Sequence, residues 1–371
     1  VTATGVSVSQ INDGQIGGNR NLIINGAMQV AQRATSSTGA TAYETVDRFA
    51  CTFTNVDETP TQAQHALTSS DTGPWAKGFR SSLHLTNGNQ TGGAGTSDRI
   101  LVAQYVESQN IANSGWDYNN TSSYITLSFW VKSSIAQNFY GYLMSDDATQ
   151  QTYPYETGSL SANTWTKITK TIPGNSNLTF NNDTGAGLRI YLAPFMGTDY
   201  TASVTLNAWA AYASGTRMPD NTSTWYTTND STFEITGVQL EVGSVASEFE
   251  HRSYGDELSR CQRYLATWGY NALYAVGRAN GTADFVFTPS LNVPLRVSPS
   301  ITQSIDSGLW KVFRHNGAST GTNTPTVRRW VKDAPCITLT LDGFSSLVDD
   351  HVGTIQANFG SNGYFWLSAE L

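Results

Sequence analysis

The chain is short of charge. Asp, Glu, Lys and Arg make up 13% of its 371 residues, against roughly 25% in ordinary soluble domains. The formal balance is −8, with no run of lysine or arginine. Affinity for nucleic acid rests on cations that neutralise phosphates, so a nucleic-acid partner is not expected. Cysteine is scarce and odd in number: Cys51, Cys261 and Cys336 are far apart. They form neither a disulfide framework nor a metal-ligand cluster, and read as small buried hydrophobes. No apolar run approaches the ~20 residues that span a bilayer, so membrane insertion is not expected either. No signal-peptide pattern is present. The chain opens on Val1 without methionine, which reads as a fragment or a processed product.

What is present is turn and ring. Gly, Ser, Thr and Asn fill the space left by charge, and aromatics reach 11%, with 10 Trp and 17 Tyr. Disordered chains are poor in aromatics, so simple disorder is excluded. A polar, weakly charged surface suits an extracellular or virion protein in contact with saccharide.

Residues 1–18 are polar and glycine-rich, too short for a core, and read as a linker or stalk end. Asn21-Leu-Ile-Ile-Asn-Gly26 reads as a first strand. Two-residue alternation then recurs at short spacing: Phe49, Cys51 and Phe53; Leu83 and Leu85; Ile100, Val102 and Val106; Ile125, Leu127, Phe129 and Val131. Leu188, Ile190 and Leu192 follow, then Val204, Leu206 and Ala208. The economical architecture for 19–252 is two antiparallel sheets face to face, a jelly-roll β-sandwich. Residues 233–265 change character. Phe233 and Ile235 alternate, Gly237 breaks the phase, and Val238, Leu240 and Val242 resume it, as at a β-bulge. Ser253 with Asp256 three residues on can cap a helix, and Leu258, Cys261 and Leu265 follow at helical spacing. A short helical junction is therefore expected over 253–268. A smaller C-terminal β-sandwich domain is expected over 269–371, with strands at Phe285 and Phe287, Leu309 to Phe313, Ile337 to Leu341 and Tyr364 to Leu367.

Function is sought among side chains that point away from the core. Parity turns Trp130 outward, with Tyr140 and Tyr142, Arg189 and Tyr191, and Trp209 on their own strands. Pyranose rings stack on aromatic faces while Arg meets hydroxyls, so this set is a candidate glycan platform. Loop aromatics form a second group: Trp116 and Tyr118, Tyr153 and Tyr155, Trp225 and Tyr226. Oligomer interface or sandwich core remain the alternatives for the first group, and loop anchoring for the second. Catalytic signals are weak. His65, His84, His251, His315 and His351 show no metal-binding spacing along the chain, and no nucleophile elbow is present. Asp146–Asp147 and Asp349–Asp350 are neighbours that would point to opposite faces of a strand. No catalytic residue, cofactor or metal is assigned, although Asp47 or Glu241 could hold structural calcium.

Five stretches carry a family resemblance: NRNLIINGAMQVAQR (19–33), YETVDRF (43–49), ITLSFWVKSS (125–134), NTWTKITKTIPG (163–174) and FEITGVQLEVGSVASEFEHRSYGDELSRCQRY (233–264). Together they resemble bacteriophage and prophage tail-fibre proteins with a carbohydrate-binding-module-like body, of the marine and cyanophage type. The first and last also resemble the outer strands of family-4-type sugar-binding jelly rolls, with Thr236-Gly237 near the place of an acidic pair. The resemblance implies a virion fibre or adhesin, a homotrimer that assembles with other phage virion proteins and reads host surface polysaccharide without catalysis. On that view Leu258, Cys261 and Leu265 would meet their copies at the fibre axis. A structural virion protein without glycan affinity, or a depolymerising tailspike, are the alternative readings.

Overall fold

The computed structural model describes residues 10–11, 14–15, 19–39, 41–269, 273–304, 310–314, 317–321, 323–345, 347–357 and 364–371. Most of the expected linker over 1–18 lies outside them, as do Leu309 and His315. The chain divides into two compact units between Glu257 and Leu258.

The first unit begins with a short hairpin, β1 (Gln10–Ile11) and β2 (Gly14–Gln15). There follow β3 (Ser36–Thr38), β4 (Ala50–Thr54), β5 (Thr61–Ala66), β6 (Ser81–Thr86) and β7 (Arg99–Glu107). A one-turn helix, α1 (Ser108–Ala112), leads to β8 (Tyr124–Ser133), β9 (Asn138–Ser145), β10 (Gln151–Ser159) and β11 (Thr166–Pro173). Then come β12 (Ala186–Met196), β13 (Ala210–Ala211), α2 (Thr224–Thr227) and β14 (Thr232–Val242), and α3 (Tyr254–Gln262) spans the division between the units. Two six-stranded antiparallel sheets result, ordered β13-β10-β9-β12-β7-β4 and β11-β8-β14-β6-β5-β3. They enclose one continuous core that includes Phe53, Val102, Leu127, Phe129, Phe139, Ile190, Phe233 and Leu240. This is the expected jelly-roll sandwich: most successive strands cross between the sheets, β5–β6 and β9–β10 being hairpins within one, and each sheet gives one face to the core.

The bulge lies where the glycine places it. Thr236 pairs with Trp130 and Gln239 with Ser128, so β14 carries one residue more than β8. Gly237 sits at φ +63°, a conformation that suits glycine. The helix cap also forms: Ser253 Oγ accepts from the Asp256 amide at 3.2 Å and donates to its carboxylate at 2.7 Å.

Three expectations are corrected. Residues 21–26 are not a strand. Leu22 donates to the Leu240 carbonyl at 2.9 Å and Val238 to that of Gly26 at 2.9 Å, while the Asn21 side chain binds Val238, Ile23 and Leu240. An asparagine side chain thus does part of the pairing that strand backbone would do. Val204, Leu206 and Ala208 lie in an irregular segment. Cys261 and Leu265 are fully buried within their own chain, Leu265 on strand rather than helix, so neither is free to meet a copy. Leu258 is half-buried.

The second unit holds a three-stranded sheet, Leu265–Trp268 (β15), Ser300–Ser304 and Tyr364–Ser368, with the last in the centre. A seven-stranded sheet includes Phe285 and Phe287 and the strand Ile337–Leu341, as expected. Its core gathers Phe285, Phe287, Trp310, Leu339, Ile355, Phe365 and Leu367.

Candidate functional site

The outer face of the β9–β12–β7 sheet is built by register. Arg189 of β12 stands between Tyr105 of β7 and Met144 of β9. Two residues along, Tyr191 stands between Ala103 and Tyr142, and then Ala193 beside Tyr140. Met196, Met218, Tyr200 and Tyr212 close over these rows in one apolar cluster with Leu101 and Ala103. Tyr142 and Tyr191 are buried beneath it, stacked at 4.5 Å. Tyr105, Tyr140, Tyr200 and Tyr212 remain half-exposed.

Guanidinium groups interleave with these rings. Arg189 lies 4.9 Å from the Tyr105 ring and donates to the Tyr191 hydroxyl at 3.3 Å. Arg217 faces Tyr200 at 4.9 Å and Tyr212 at 5.6 Å, and Arg99 faces Tyr200 at 5.0 Å. Arg33 and Arg48 extend the pattern over Tyr43. The Nε atoms of Arg99 and Arg217 are buried and make no hydrogen bond among the described residues. Asp146 pairs with Arg189. Burial, helped by Asp147, still holds its carboxyl above the usual range against the pull of Arg189. Burial likewise pushes the phenols of Tyr142, Tyr191 and Tyr105 up, so they stay neutral across physiological pH. The face therefore offers ring surface, neutral hydroxyls and fixed positive donors. These are groups for binding oxygen-rich ligands.

Tyr140, Tyr142, Arg189 and Tyr191 are thus brought together as expected, but two of them form the floor rather than the surface. Trp130 does not join them. It lies on the outer face of the opposite sheet, under Gly73, whose Cβ position is 2.7 Å from the indole. There it lines a pocket of about 130 Å³ with Lys77, Phe79, Lys167, Phe249 and His251. The single platform expected from strand parity is two faces.

Most of the other candidate aromatics are structural. Trp116 is buried and donates to the Ser123 carbonyl at 3.3 Å, and Tyr118 packs edge-on to Phe180 at 4.8 Å. Trp225 and Tyr226 are core; the Trp225 indole donates to the Thr232 carbonyl at 2.9 Å and the Tyr226 hydroxyl to Asp98 at 2.8 Å. Tyr153 and Tyr155 are also core. Trp209 ties its irregular segment to the Pro173 carbonyl at 2.8 Å. Trp116, Trp209, Trp225 and Tyr226 are large apolar rings whose polar tips find backbone or a buried carboxylate, which fastens irregular segments to the sandwich, whereas Tyr153 and Tyr155, expected on a loop, stand on β10.

Tyr105, Tyr200, Tyr212, Arg99 and Arg217 were not singled out by sequence. In β7 the alternation of Ile100, Val102 and Val106 marks the core face, but Leu101 and Ala103 between them are apolar and buried too, so the outward face bearing Tyr105 does not stand out. Tyr200, Tyr212 and Arg217 come from an irregular segment with no period.

On the opposite sheet the Glu234 carboxylate is buried. It accepts from Ser82 Oγ and Lys132 Nζ, both at 2.8 Å, with His65 and His84 beside it. Burial raises its pKa, but His84 and Lys132 outweigh this and leave it well below the usual carboxylate range. Asp47 and Glu241, the calcium candidates, are already engaged by their own chain. Asp47 accepts from the Gln32 amide at 2.9 Å, and Glu241 from the Ser247 amide at 2.8 Å and the Gln239 side chain at 2.9 Å.

No family model and no curated protein matches the chain. Several solved structures are similar in part. A putative sugar binding protein from Bacteroides thetaiotaomicron is 12% identical, covering 60% of this chain and 99% of its own, at a TM-score of 0.32. The N-terminal cellulose-binding domain of Cellulomonas fimi β-1,4-glucanase C is 8% identical over 59% of this chain and 99% of its own, at 0.28. The enzymatically active domain of bacteriophage CBA120 tailspike protein 4 is 12% identical over 60% of this chain and 21% of its own, at 0.30.

Proposed function

We propose that the chain is a receptor-binding segment of a bacteriophage fibre, which holds host surface polysaccharide on its arginine–tyrosine face without cleaving it. The observation that carries this reading is the set of half-exposed rings of Tyr105, Tyr140, Tyr200 and Tyr212, interleaved with Arg99, Arg189 and Arg217. Sugar rings stack on aromatic faces, and planar guanidinium forks meet paired hydroxyls or carboxylates. The fibre assignment is supported by the five stretches that resemble phage tail-fibre proteins. In a trimer three copies of a weak site would act together, the gain coming from effective concentration.

One incubation tests binding and cleavage together. The purified protein is mixed with envelope polysaccharide from the host, and both retention and polymer length are measured. Retention with unchanged length is the expected result. Shortened product would make the chain a depolymerase, and no retention would leave a structural virion protein. Light scattering should give about three times the chain mass of 40.2 kDa.

A further inference from the structure

We propose that His65, His84 and Glu234 form a binding site for a first-row transition-metal dication of the zinc or nickel class. The site lies on the outer face of the β8–β14–β6–β5 sheet and is separate from the arginine–tyrosine face. Register brings the three together. Glu234 of β14 is directly opposite His84 of β6, and His84 is opposite Ala63 of β5, two residues from His65 on the same face. One ligand atom from each residue falls in a group no wider than 4.8 Å.

The spacing is close to that of a metal site. His65 Nδ1 is 3.2 Å from Glu234 Oε2, and His84 Nδ1 is 3.4 Å from Oε1, so the two imidazoles flank the two oxygens of one carboxylate. In a tetrahedron with bonds of about 2.0–2.1 Å, neighbouring ligand atoms are separated by about 3.3 Å, so a group no wider than 4.8 Å contracts onto the ion as it binds. Hydrogen bonding points the same way. His84 Nε2 is 3.2 Å from Thr86 Oγ1, and its buried Nδ1 faces Glu234 Oε1 at 3.4 Å outside good hydrogen-bond geometry. When Nε2–H donates to Thr86, Nδ1 turns a bare lone pair toward a carboxylate. Two acceptors then face each other, and a cation between them satisfies both. Such an outer hydrogen bond on the distal ring nitrogen is the usual way a metal-binding imidazole is oriented.

The surroundings hold the carboxylate and leave charge for the metal. Ser82 Oγ and Lys132 Nζ each donate to one oxygen of Glu234 at 2.8 Å, which fixes its plane. Lys132 also binds Asp71 at 3.2 Å, and the Trp165 indole donates to that same Asp71 oxygen at 3.0 Å. One ammonium thus serves two carboxylates, and one negative charge stays uncompensated. Glu234 is only 3% exposed, whereas the His65 side chain is 50% exposed. A metal therefore enters past His65 and keeps water as its fourth ligand. Two imidazoles and one carboxylate select zinc, nickel, cobalt or copper over calcium or magnesium, which require more oxygen ligands.

The test uses the full chain after chelator treatment, titrated with zinc chloride and nickel chloride by calorimetry at neutral pH. One metal per chain is expected, with a rise in the melting temperature. His65→Ala, on a half-exposed side chain, should weaken binding by about 100-fold or more while leaving the metal-free melting temperature unchanged. Absence of binding up to millimolar metal overturns the proposal, as does unchanged affinity in His65→Ala. Should that variant fold poorly, histidine-ring NMR of the unsubstituted protein decides. Zinc must shift the His65 and His84 signals; a shift confined to His251, His315 or His351 overturns the assignment.

Discussion

At the scale of the residue, the same side-chain type does two unrelated jobs. Tyr212 and Arg217 stand half-exposed on the proposed face, while Trp225 is sealed in the core. Tyr212→Ala and Arg217→Ala should each weaken polysaccharide binding about tenfold, roughly 1.4 kcal/mol, with melting temperatures near that of the parent. Affinity electrophoresis in gels cast with the polysaccharide reads this directly, and mobility equal to the parent's would remove the face as the site. Trp225→Ala should instead cost about 3–5 kcal/mol of stability in urea unfolding, since it deletes a fully enclosed ring. Sequence separates these roles poorly because both are aromatic residues set among Asn, Ser and Thr. What divides them is the partner. Trp225 has a backbone carbonyl for its indole and Phe233 for its ring, whereas Tyr212 packs at the edge of an outer cluster with its ring against a guanidinium.

At the scale of the element, β14 and its neighbours were the most legible part of the chain. A phase break at Gly237 is a local event, encoded by one residue and its immediate pattern. Gly237→Ala should destabilise the protein by about 1–3 kcal/mol. Its φ is +63°, and an added Cβ would come within 2.6 Å of the Phe79 ring. Equilibrium unfolding checks this, and a stability equal to the parent's would mean that the bulge relaxes freely. Residues 19–26 were less legible, because what holds them comes from more than two hundred residues away. Glu250 accepts from the Asn21 amide at 2.8 Å and from that of Asn19, with Arg252 beside it at 3.0 Å. Burial alone would raise its carboxyl, but the Asn21 amide and Arg252 bring it below the ordinary range. A depressed carboxylate stabilises the fold above its unfolded pKa, about 4.3, and loses that contribution as pH falls through the folded value. Glu250→Gln should therefore lose less stability than the parent between pH 5 and pH 3, as denaturation at each pH will show. An identical acid dependence would mean that Glu250 does not hold this segment.

At the scale of the whole molecule, the proposed fibre would combine a low-charge acidic surface with weak sites repeated in each copy, the arrangement of a polymer binder. Under the trimer reading, long polysaccharide should bind about 100-fold or more tightly than its isolated repeat unit. Parallel titrations measure this, and equal affinities would contradict multivalent contact. Composition and two-residue periodicity determined the all-β class, the two bodies and the bulge, and the Ser253–Asp256 spacing determined the capped helix. Each of these is set by neighbours within a few positions of one another. Only tertiary structure decided which aromatics are exposed. Strand parity says that Trp130 and Tyr191 both point outward, but not that they do so from opposite sheets. Only register could bring Tyr105 beside Arg189, or His65 and His84 beside Glu234. Those pairings depend on strands far apart in the chain, and nothing local to either partner records them.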